Sequence, residues 1–380
     1  MELKNVYITH TNCITPLGFD VDSNIEAISH GNTGISKQEN SMLPMPFYAG
    51  VINDDRLENA FASISDKRYT RLEKMMLLAL QPVVQKSGVV FNDKTALVLS
   101  TTKGNITSLP KEGALPQEAY LQGLAKNIAG YFGFITEPIV ISNACVSGVM
   151  AVSVAKRLIQ SGLYDNVFVV AGDEVSEFVL SGFNSFQAMS PEPCKPYSAN
   201  RSGVTLGEAA AAVLVTKDSA DAKAKVIGDG SINDANHISG PSRTGEGLFR
   251  SIESALKESG VGPEKIDYIS AHGTATPFND EMEAIAFNRL GLNKVPVNSL
   301  KGYYGHTLGA SGLLETVIAL ESMAQNKVYA SMGYDEPGVS QAINVITENE
   351  DRKIDYFLKT ASGFGGCNTA VIFEKVQHGR

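Results

Sequence analysis

The chain has 380 residues, 43% of them hydrophobic, and a formal net charge of −9, which provides enough apolar material for a large core. This composition excludes a disordered chain, and the acidic balance argues against a general nucleic-acid binder, because phosphate contacts need a basic surface. Residues 1–4 carry no basic stretch followed by an apolar run, and no apolar segment approaches the roughly 18 to 20 residues that span a bilayer. We therefore expect a cytoplasmic protein without a membrane span.

Short β-branched runs alternate with helical patterns through most of the chain. They lie at residues 6–8, 96–99, 139–141, 167–170, 211–215 and 266–269. Runs that are apolar on both faces are typical of buried strands in α/β proteins, so the sequence predicts that class. The tail differs, because residues 356–360 and 370–373 flank a Gly-rich turn and are predicted to be two strands joined by a loop.

Two predicted helices, 146–160 and 308–324, begin at polar turns and are apolar nearly all round, as helices enclosed by other layers must be. Both are rich in small residues near their starts, which would let other backbone approach closely. This pattern suggests two similar halves that meet at paired central helices. The polar segment 217–225 is the best candidate junction, so we divide the chain into 1–220 and 221–380.

The four cysteines, Cys13, Cys145, Cys194 and Cys367, are widely separated and form no pair or cluster with zinc-site spacing, so we expect neither a disulfide framework nor a metal site. Cys145 follows a predicted strand and precedes a helix, where unpaired N–H groups and the helix dipole would favour a thiolate. That position suits a nucleophile. A cysteine can equally be a small buried hydrophobe, and the sequence around Cys145 alone leaves both interpretations open.

Three further segments contain residues that could take part in catalysis or binding. His272 lies just beyond a predicted strand, where open α/β sheets bind ligands, although a loop histidine is most often a surface residue. Lys301 and His306 lie in a Gly-bounded turn before the second apolar helix, where burial would be costly without partners. The glycine turn at 363–368 is either an ordinary loop or a source of backbone N–H groups for an anion.

Taken together, segments 143–148, 272–277, 298–306 and 363–368 resemble the β-ketoacyl-acyl carrier protein synthases of the thiolase superfamily, in particular the elongating type with a Cys-His-His site. The resemblance covers essentially the whole chain, and the joint order and spacing of the short motifs is highly specific. It implies a thiolase-like layered αβαβα fold built from two similar halves. It also implies an acyltransferase of fatty-acid-like or polyketide-like chain extension.

In that family the residue matching Cys145 accepts an acyl group from a carrier thioester, and those matching His272 and His306 bind the malonyl thioester carbonyl. Loss of CO2 leaves an enolate, which two neutral imidazoles can stabilise by donating N–H bonds to its oxygen. The enolate carbon then attacks the acyl group on Cys145. The backbone N–H groups of Cys145 and Phe364 match the family's oxyanion hole.

The resemblance assigns supporting roles as well. Lys301 matches the family's site lysine, and Glu283 matches the acid expected to pair with it, an ion pair that would orient the His306 loop. Thr274 and Thr276 match hydroxyls that hold the phosphopantetheine arm of the carrier substrate. We therefore expect no permanently bound cofactor, because the phosphopantetheine arm arrives with the substrate.

A basic segment is the candidate contact with an acidic acyl carrier protein. It contains Lys67, Arg68, Arg71 and Lys74 and is predicted to begin a helix on which Lys67, Arg71 and Lys74 share one face. It resembles the basic helix with which related synthases engage their carrier, although an ordinary solvated face is the alternative. Pro82 is expected to kink or end this helix.

Departures from the family pattern at 100–105, 196–203 and 207–211 leave the acyl chain length open, and Glu208 is expected to be structural. Two other functions compete with the synthase. One is a non-catalytic chain-length-factor type of partner subunit, which generally lacks the nucleophile that Cys145 provides here. The other is an unrelated Cys-His acyl hydrolase or transferase. As a synthase, the chain is expected to form a homodimer or a heterodimer with a related subunit.

Overall fold

The computed structural model of the chain describes residues 4–39, 46–110, 112–235, 240 and 242–377. The helices are α1 Val21–Ser29, α2 Asp54–Ala62, α3 Arg71–Ser87, α4 Leu121–Phe132, α5 Ser147–Gln160, α6 Glu177–Ser185, α7 Glu246–Ser259, α8 Pro277–Arg289, α9 Lys301–Tyr304 and α10 Ser311–Gln325. The strands are β1 Tyr7–Ile14, β2 Ile35–Gln38, β3 Phe47–Gly50, β4 Thr95–Ser100, β5 Ile139–Ile141, β6 Asn166–Asp173, β7 Leu206–Gly207, β8 Ala209–Thr216, β9 Ala224–Asn233, β10 Tyr268–Ser270, β11 Pro296–Asn298, β12 Lys327–Val328, β13 Asn344–Val345, β14 Glu350–Asp351, β15 Tyr356–Gly363 and β16 Cys367–Lys375.

Within these ranges the largest sheet has 11 strands in the order β13-β11-β10-β15-β16-β9-β1-β8-β6-β4-β5. Each half of the sheet has the same plan. In the first half β5, β4 and β6 are parallel and β8 and β1 follow antiparallel, and in the second half β11, β10 and β15 are parallel and β16 and β9 follow antiparallel. The α/β class and the two similar halves predicted from the sequence are confirmed. The halves join through a short antiparallel pairing of β1 with β9.

The strands are buried on both faces because helices cover the sheet on each side. All eight residues of β8 are buried, and its seven apolar residues, 209–215, alternate between two hydrophobic clusters. Ala210, Ala212 and Leu214 face the cluster that contains α3, whereas the alternate residues face the cluster that contains α5 and α10. Period-two alternation with apolar residues on both faces is the pattern expected of a strand enclosed by two layers.

The paired central helices α5 and α10 approach each other closely. A Cβ added at Gly148 would lie 2.7 Å from the carbonyl oxygen of Gly309, and one added at Gly312 would lie 2.7 Å from the backbone nitrogen of Val149. The small residues at the starts of these helices therefore permit backbone-to-backbone contact, as the sequence indicated. In the described part of the chain, no helix is long and apolar enough to cross a membrane.

Helix α3 begins later than predicted, and of the two alternatives expected at Pro82 the structure excludes an end. It begins at Arg71, because Thr70 and Glu73 form a capping box before it, and Lys67 therefore lies outside the helix. The helix continues through Pro82 to Ser87, so Pro82 does not end it.

Candidate active site

Cys145 lies in the turn between β5 and α5. The side chain of Ser147 organises this turn, because its hydroxyl accepts a hydrogen bond from the Asn143 N–H at 2.7 Å and donates one to the Ala144 carbonyl at 2.6 Å. Ala144 adopts a positive φ of 44°, an uncommon conformation for a residue with a side chain and one that often accompanies functional sites. A Cβ added at Gly363 would lie 3.0 Å from the Cys145 backbone nitrogen, so the end of β15 passes directly beside Cys145.

His306 is the direct neighbour of the Cys145 thiol. Its Nε2 lies 3.1 Å from Cys145 Sγ, and its Nδ1 lies 3.0 Å from the hydroxyl of Ser311 at the start of α10. The backbone N–H of His306 donates to the Thr205 carbonyl at 2.7 Å, which holds the His306 loop against the residue that precedes β7. The predicted Cys-His pair is therefore present with hydrogen-bonding geometry.

His272 completes the cluster of three candidate catalytic side chains. Its ring centroid lies 5.2 Å from that of His306, with the ring planes 84° apart. Lys301 Nζ lies 3.4 Å from His272 Nδ1 and also donates to the His272 carbonyl. Because an ammonium group only donates, this contact makes Nδ1 the acceptor and leaves the hydrogen on Nε2. In this tautomer the ring can donate from Nε2.

The prediction that Lys301 forms an ion pair with Glu283 is wrong. Lys301 Nζ pairs instead with Glu315 Oε1 at 2.7 Å, and both side chains are buried. Glu283 accepts hydrogen bonds from the backbone N–H groups of His272 and Gly273, at 2.9 and 2.6 Å. The acid therefore supports the His272 loop through its backbone, and the lysine takes its partner from helix α10.

Glu315 was missed by the sequence analysis, although a signal was present. It is an acid inside an otherwise apolar helix, where a charge requires a buried partner. It holds two partners, because Lys359 Nζ lies 2.7 Å from the second carboxylate oxygen. Lys359 was missed as well, since it falls inside a predicted buried strand.

Burial keeps both members of the Cys145–His306 pair uncharged. It raises the pKa of the Cys145 thiol to about 12, with the neighbouring Cys367 adding to the effect. Burial, with the nearby Lys301 cation second, lowers the pKa of His306 well below its ordinary value. Burial of the sulfur therefore opposes the thiolate that the position before the helix was expected to favour.

The three side chains open into a cavity of about 460 Å³ that also reaches Thr274, Thr276 and Phe364. The two threonine hydroxyls lie 2.9 Å apart, and Thr276 additionally caps helix α8 by accepting from the Asn279 N–H. The ring of Phe364 is 38% exposed and stacks on Phe183, with centroids 5.6 Å apart. The cavity is thus polar on its His272 side and aromatic on its Phe364 side.

The basic segment differs from its prediction, because Arg71 and Lys74 do not present free charges. Arg71 forms ion pairs with Asp54 and with the buried Glu208. Lys74 Nζ lies 2.6 Å from a carboxylate oxygen of Glu58. Lys67 and Arg68, in contrast, are exposed in the loop before the helix.

Glu208 has the structural role expected for it. Its carboxylate accepts from the backbone N–H groups of Ile52 and Val175, at 2.7 and 3.1 Å, in addition to Arg71.

Comparison with known proteins identifies the family. The model of the β-ketoacyl synthase N-terminal domain matches residues 3–221, and that of the β-ketoacyl synthase C-terminal domain matches residues 223–335. The chain belongs to the β-ketoacyl synthase family. The synthase is 28% identical to 3-oxoacyl-[acyl-carrier-protein] synthase 2 of Coxiella burnetii, over 99% of this chain and 100% of that protein. It is 25% identical to the protein of the same name from Staphylococcus aureus strain N315, over 98% of this chain and 99% of that one.

Solved structures agree with the synthase fold. A ketosynthase from Xenorhabdus doucetiae, determined in complex with its chain length factor, superposes with a TM-score of 0.85 at 25% identity and 98% coverage of both chains. A β-ketoacyl synthase from Burkholderia phymatum superposes with a TM-score of 0.85 at 22% identity, covering 99% of this chain and 100% of that one. These neighbours confirm the thiolase-like architecture.

Proposed function

We propose that this synthase catalyses decarboxylative Claisen condensation of a carrier-bound malonyl extender with an acyl group held on Cys145. The observation that supports this function best is the clustering in one cavity of the Cys145 thiol, the His306 ring at 3.1 Å and the His272 ring 5.2 Å from His306. A nucleophile and two imidazoles facing one cavity match the needs of acyl transfer followed by enolate formation.

The first half-reaction loads the enzyme. Cys145 Sγ attacks the carbonyl of an acyl thioester, its proton passes to Nε2 of the adjacent His306, and His306 returns this proton to the carrier sulfur, so that the carrier leaves as a thiol. The oxyanion of the tetrahedral intermediate would be bound by the backbone N–H groups of Cys145 and Phe364.

The second half-reaction extends the chain. The bond from the malonyl α-carbon to its carboxylate breaks, CO2 leaves, and the electron pair moves into the thioester as an enolate. His272 stabilises the enolate oxygen by donating from Nε2, and His306 does the same in the neutral tautomer whose Nδ1 accepts from the Ser311 hydroxyl. The enolate carbon then attacks the acyl carbonyl on Cys145, and collapse of the tetrahedral intermediate expels the Cys145 thiolate, which takes up a proton from solvent to restore the thiol.

The supporting assignments belong to the same proposal. Thr274 and Thr276 would hold the phosphopantetheine arm, which arrives with the carrier, so that no permanently bound cofactor is needed. Lys67 and Arg68 would contact the acidic carrier. The partners are an acyl carrier protein and a second synthase-like subunit, identical or related, in a cytoplasmic enzyme whose halves divide near residue 220.

A chain-length-factor role would predict no acyl transfer to Cys145. Intact-protein mass spectrometry after incubation with a panel of acyl carriers tests the difference directly. We expect a mass increase equal to the acyl group on the wild-type protein and none on the Cys145→Ala variant. Absence of acylation on the wild-type chain with every carrier, together with no CO2 release from malonyl carrier, would contradict the proposed enzyme.

A further inference from the structure

Two lysines share one carboxylate behind the His272 loop. Glu315 binds Lys301 through Oε1 and Lys359 through Oε2, each at 2.7 Å. Both lysine side chains have no exposed surface, and that of Glu315 is 3% exposed. One carboxylate therefore faces two ammonium groups in a part of the protein from which water is excluded.

Lys359 reaches the loop through the backbone of the strand that precedes His272. Its Nζ donates to the carbonyls of Ser270 at 3.0 Å and Ala271 at 3.4 Å. A third bond, at 2.7 Å, goes to the carbonyl of Thr360, which neighbours Lys359 on β15. Ser270 also pairs with Lys359 in the register of β10 against β15, so the lysine is anchored at the level where β10 ends and the loop begins.

The charges around the loop follow a regular pattern. Three successive carbonyls, those of Ser270, Ala271 and His272, face the two lysine ammonium groups. The N–H groups of the next positions face carboxylates, because His272 and Gly273 donate to Glu283 and Thr274 donates to Asp280 at 2.9 Å. Cations on one side and anions on the other thus fix the direction of every peptide group that carries the His272 ring.

A second buried cation needs a reason beyond filling space. Burial lowers the pKa of Lys359, and the neighbouring Lys301 lowers it further, whereas Glu315 opposes both effects. An apolar side chain of similar length would fill the same volume in β15 without this penalty, and buried ion pairs are often no better for stability than apolar replacements. The ammonium group of Lys359 instead contacts the backbone carbonyls of the segment that carries the His272 ring.

We infer that Lys359 is a positioning residue for the decarboxylation half-reaction. Lys359 binds the backbone carbonyls just before His272 and shares Glu315 with Lys301, and these contacts keep the His272 ring directed into the cavity. This inference rests on the proposed function. Lys359 does not line the cavity, so it acts through His272 and does not contact the malonyl group. A displacement of the ring of the order of 1 Å is enough to slow such a step about a hundredfold.

The test compares the two half-reactions in Lys359→Met, which removes the ammonium group and keeps the length of the stem. CO2 release from malonyl carrier should fall about 10- to 100-fold in kcat with little change in KM, whereas acylation of Cys145 should stay close to the wild-type rate. Lys359→Gln, which keeps an N–H donor without the charge, should lie between Lys359→Met and the wild type. Thermal melting accompanies each assay.

Lys156→Met is the matched control. Lys156 is also a buried lysine, 1% exposed, with ion pairs to Asp229 at 2.9 Å and Glu258 at 2.6 Å, but it lies near the far end of α5. This variant should lose stability and leave the ratio of the two half-reactions unchanged. An unchanged ratio in folded Lys359→Met would overturn the inference, and so would failure of both Lys359 variants to fold, because the lysine would then serve the fold. The proposed function fails separately, if the wild-type chain performs neither half-reaction.

Discussion

Burial decides the charge of the residues at the centre of this site. The Cys145 thiol and the His306 ring are neutral partners 3.1 Å apart, because desolvation raises the pKa of the thiol to about 12 and lowers that of the imidazole. One neutral tautomer of His306 can accept the Cys145 proton at Nε2, and the other can donate a hydrogen bond from Nε2 to a developing enolate. The same imidazole is thus available to both proposed half-reactions.

Removing the charge of Glu315 should lower the free energy of unfolding more than removing the charge of a surface carboxylate. Glu315→Gln would leave Lys301 and Lys359 buried without a counter-charge, so the free energy of unfolding should fall by about 3 to 5 kcal/mol. Glu321→Gln on the same helix is the control, because Glu321 pairs with a partly exposed lysine, Lys223, and its loss should cost about 1 kcal/mol or less. Denaturant unfolding measures both values. Equal losses would show that the shared carboxylate has no special role.

The sequence predicts individual site residues correctly where each residue lies in a recognisable motif. Cys145, His272 and His306 each lie in short motifs between elements, and the structure brings their side chains to one cavity. The partner of Lys301 could not be chosen from the motif alone, because Glu283 on α8 and Glu315 on α10 are both acids on helices that flank Lys301 in the sequence. The positive φ of Ala144 had no signal at all, since an alanine side chain gives no indication of left-handed backbone.

Among the elements, the contact of α5 with α10 connects the Cys145 turn to the His306 loop. Gly312→Ala would place a Cβ 2.7 Å from the Val149 nitrogen, so the helices must separate. We expect a loss of about 1 to 3 kcal/mol in the free energy of unfolding, together with slower acylation of Cys145, because α5 begins two residues beyond the proposed nucleophile.

Gly130→Ala is the control for this prediction. Gly130 lies inside helix α4, and a Cβ there would meet no atom within 4 Å. The substitution should stabilise the protein by about 0.5 to 1 kcal/mol, because alanine loses less backbone freedom than glycine in a helix. A stabilising Gly312→Ala would contradict close helix packing as the reason for glycine at that position.

The predicted elements were right in type and less accurate at their ends. Strands of β-branched residues were found where the sequence indicated them, because a short run that is apolar on both faces is typical of a strand enclosed by helices. The start of α3 was placed too early, although Thr70 and Glu73 show the spacing of a capping box. The partner of Arg71, Glu208, is 137 positions away, so its ion pair could not be inferred from local sequence.

On the scale of the whole molecule, the site forms where the two similar halves meet. The first half supplies Cys145 at the start of α5, and the second supplies His272 and His306 from the loops around α8 and α10. The repeated strand order places the two central helices side by side, so each half contributes residues to the same cavity. Sequence similarity between the halves was too weak to establish this repeat, because packing constrains the strand pattern far more than the identity of each residue.

Carrier recognition should depend on the exposed loop residues and not on the paired ones. Lys67→Glu with Arg68→Glu should raise KM for a carrier-bound substrate about tenfold and leave short pantetheine mimics unaffected, because the two residues are proposed to contact the carrier protein and not the reacting atoms. The effect should shrink as salt rises.

Lys257→Glu with Lys265→Glu is the control, since it makes the same change in net charge at exposed lysines in the second half of the chain. An equal rise in KM in both double variants would assign the effect to net charge instead of a docking surface. An equal loss with carrier and mimic would also contradict docking at this loop.

The division of labour between the thiol and the imidazoles is tested most directly by CO2 release from malonyl carrier in single variants of Cys145, His272 and His306. Cys145→Ala should form no acyl-enzyme and no condensation product, yet it should still release CO2. His272→Ala and His306→Ala should each lose most of the decarboxylation rate, about 100-fold or more, while circular dichroism and thermal melting show an intact fold. If both folded histidine variants release CO2 at the wild-type rate, the Cys-His-His assignment is wrong, even if Cys145 still accepts an acyl group.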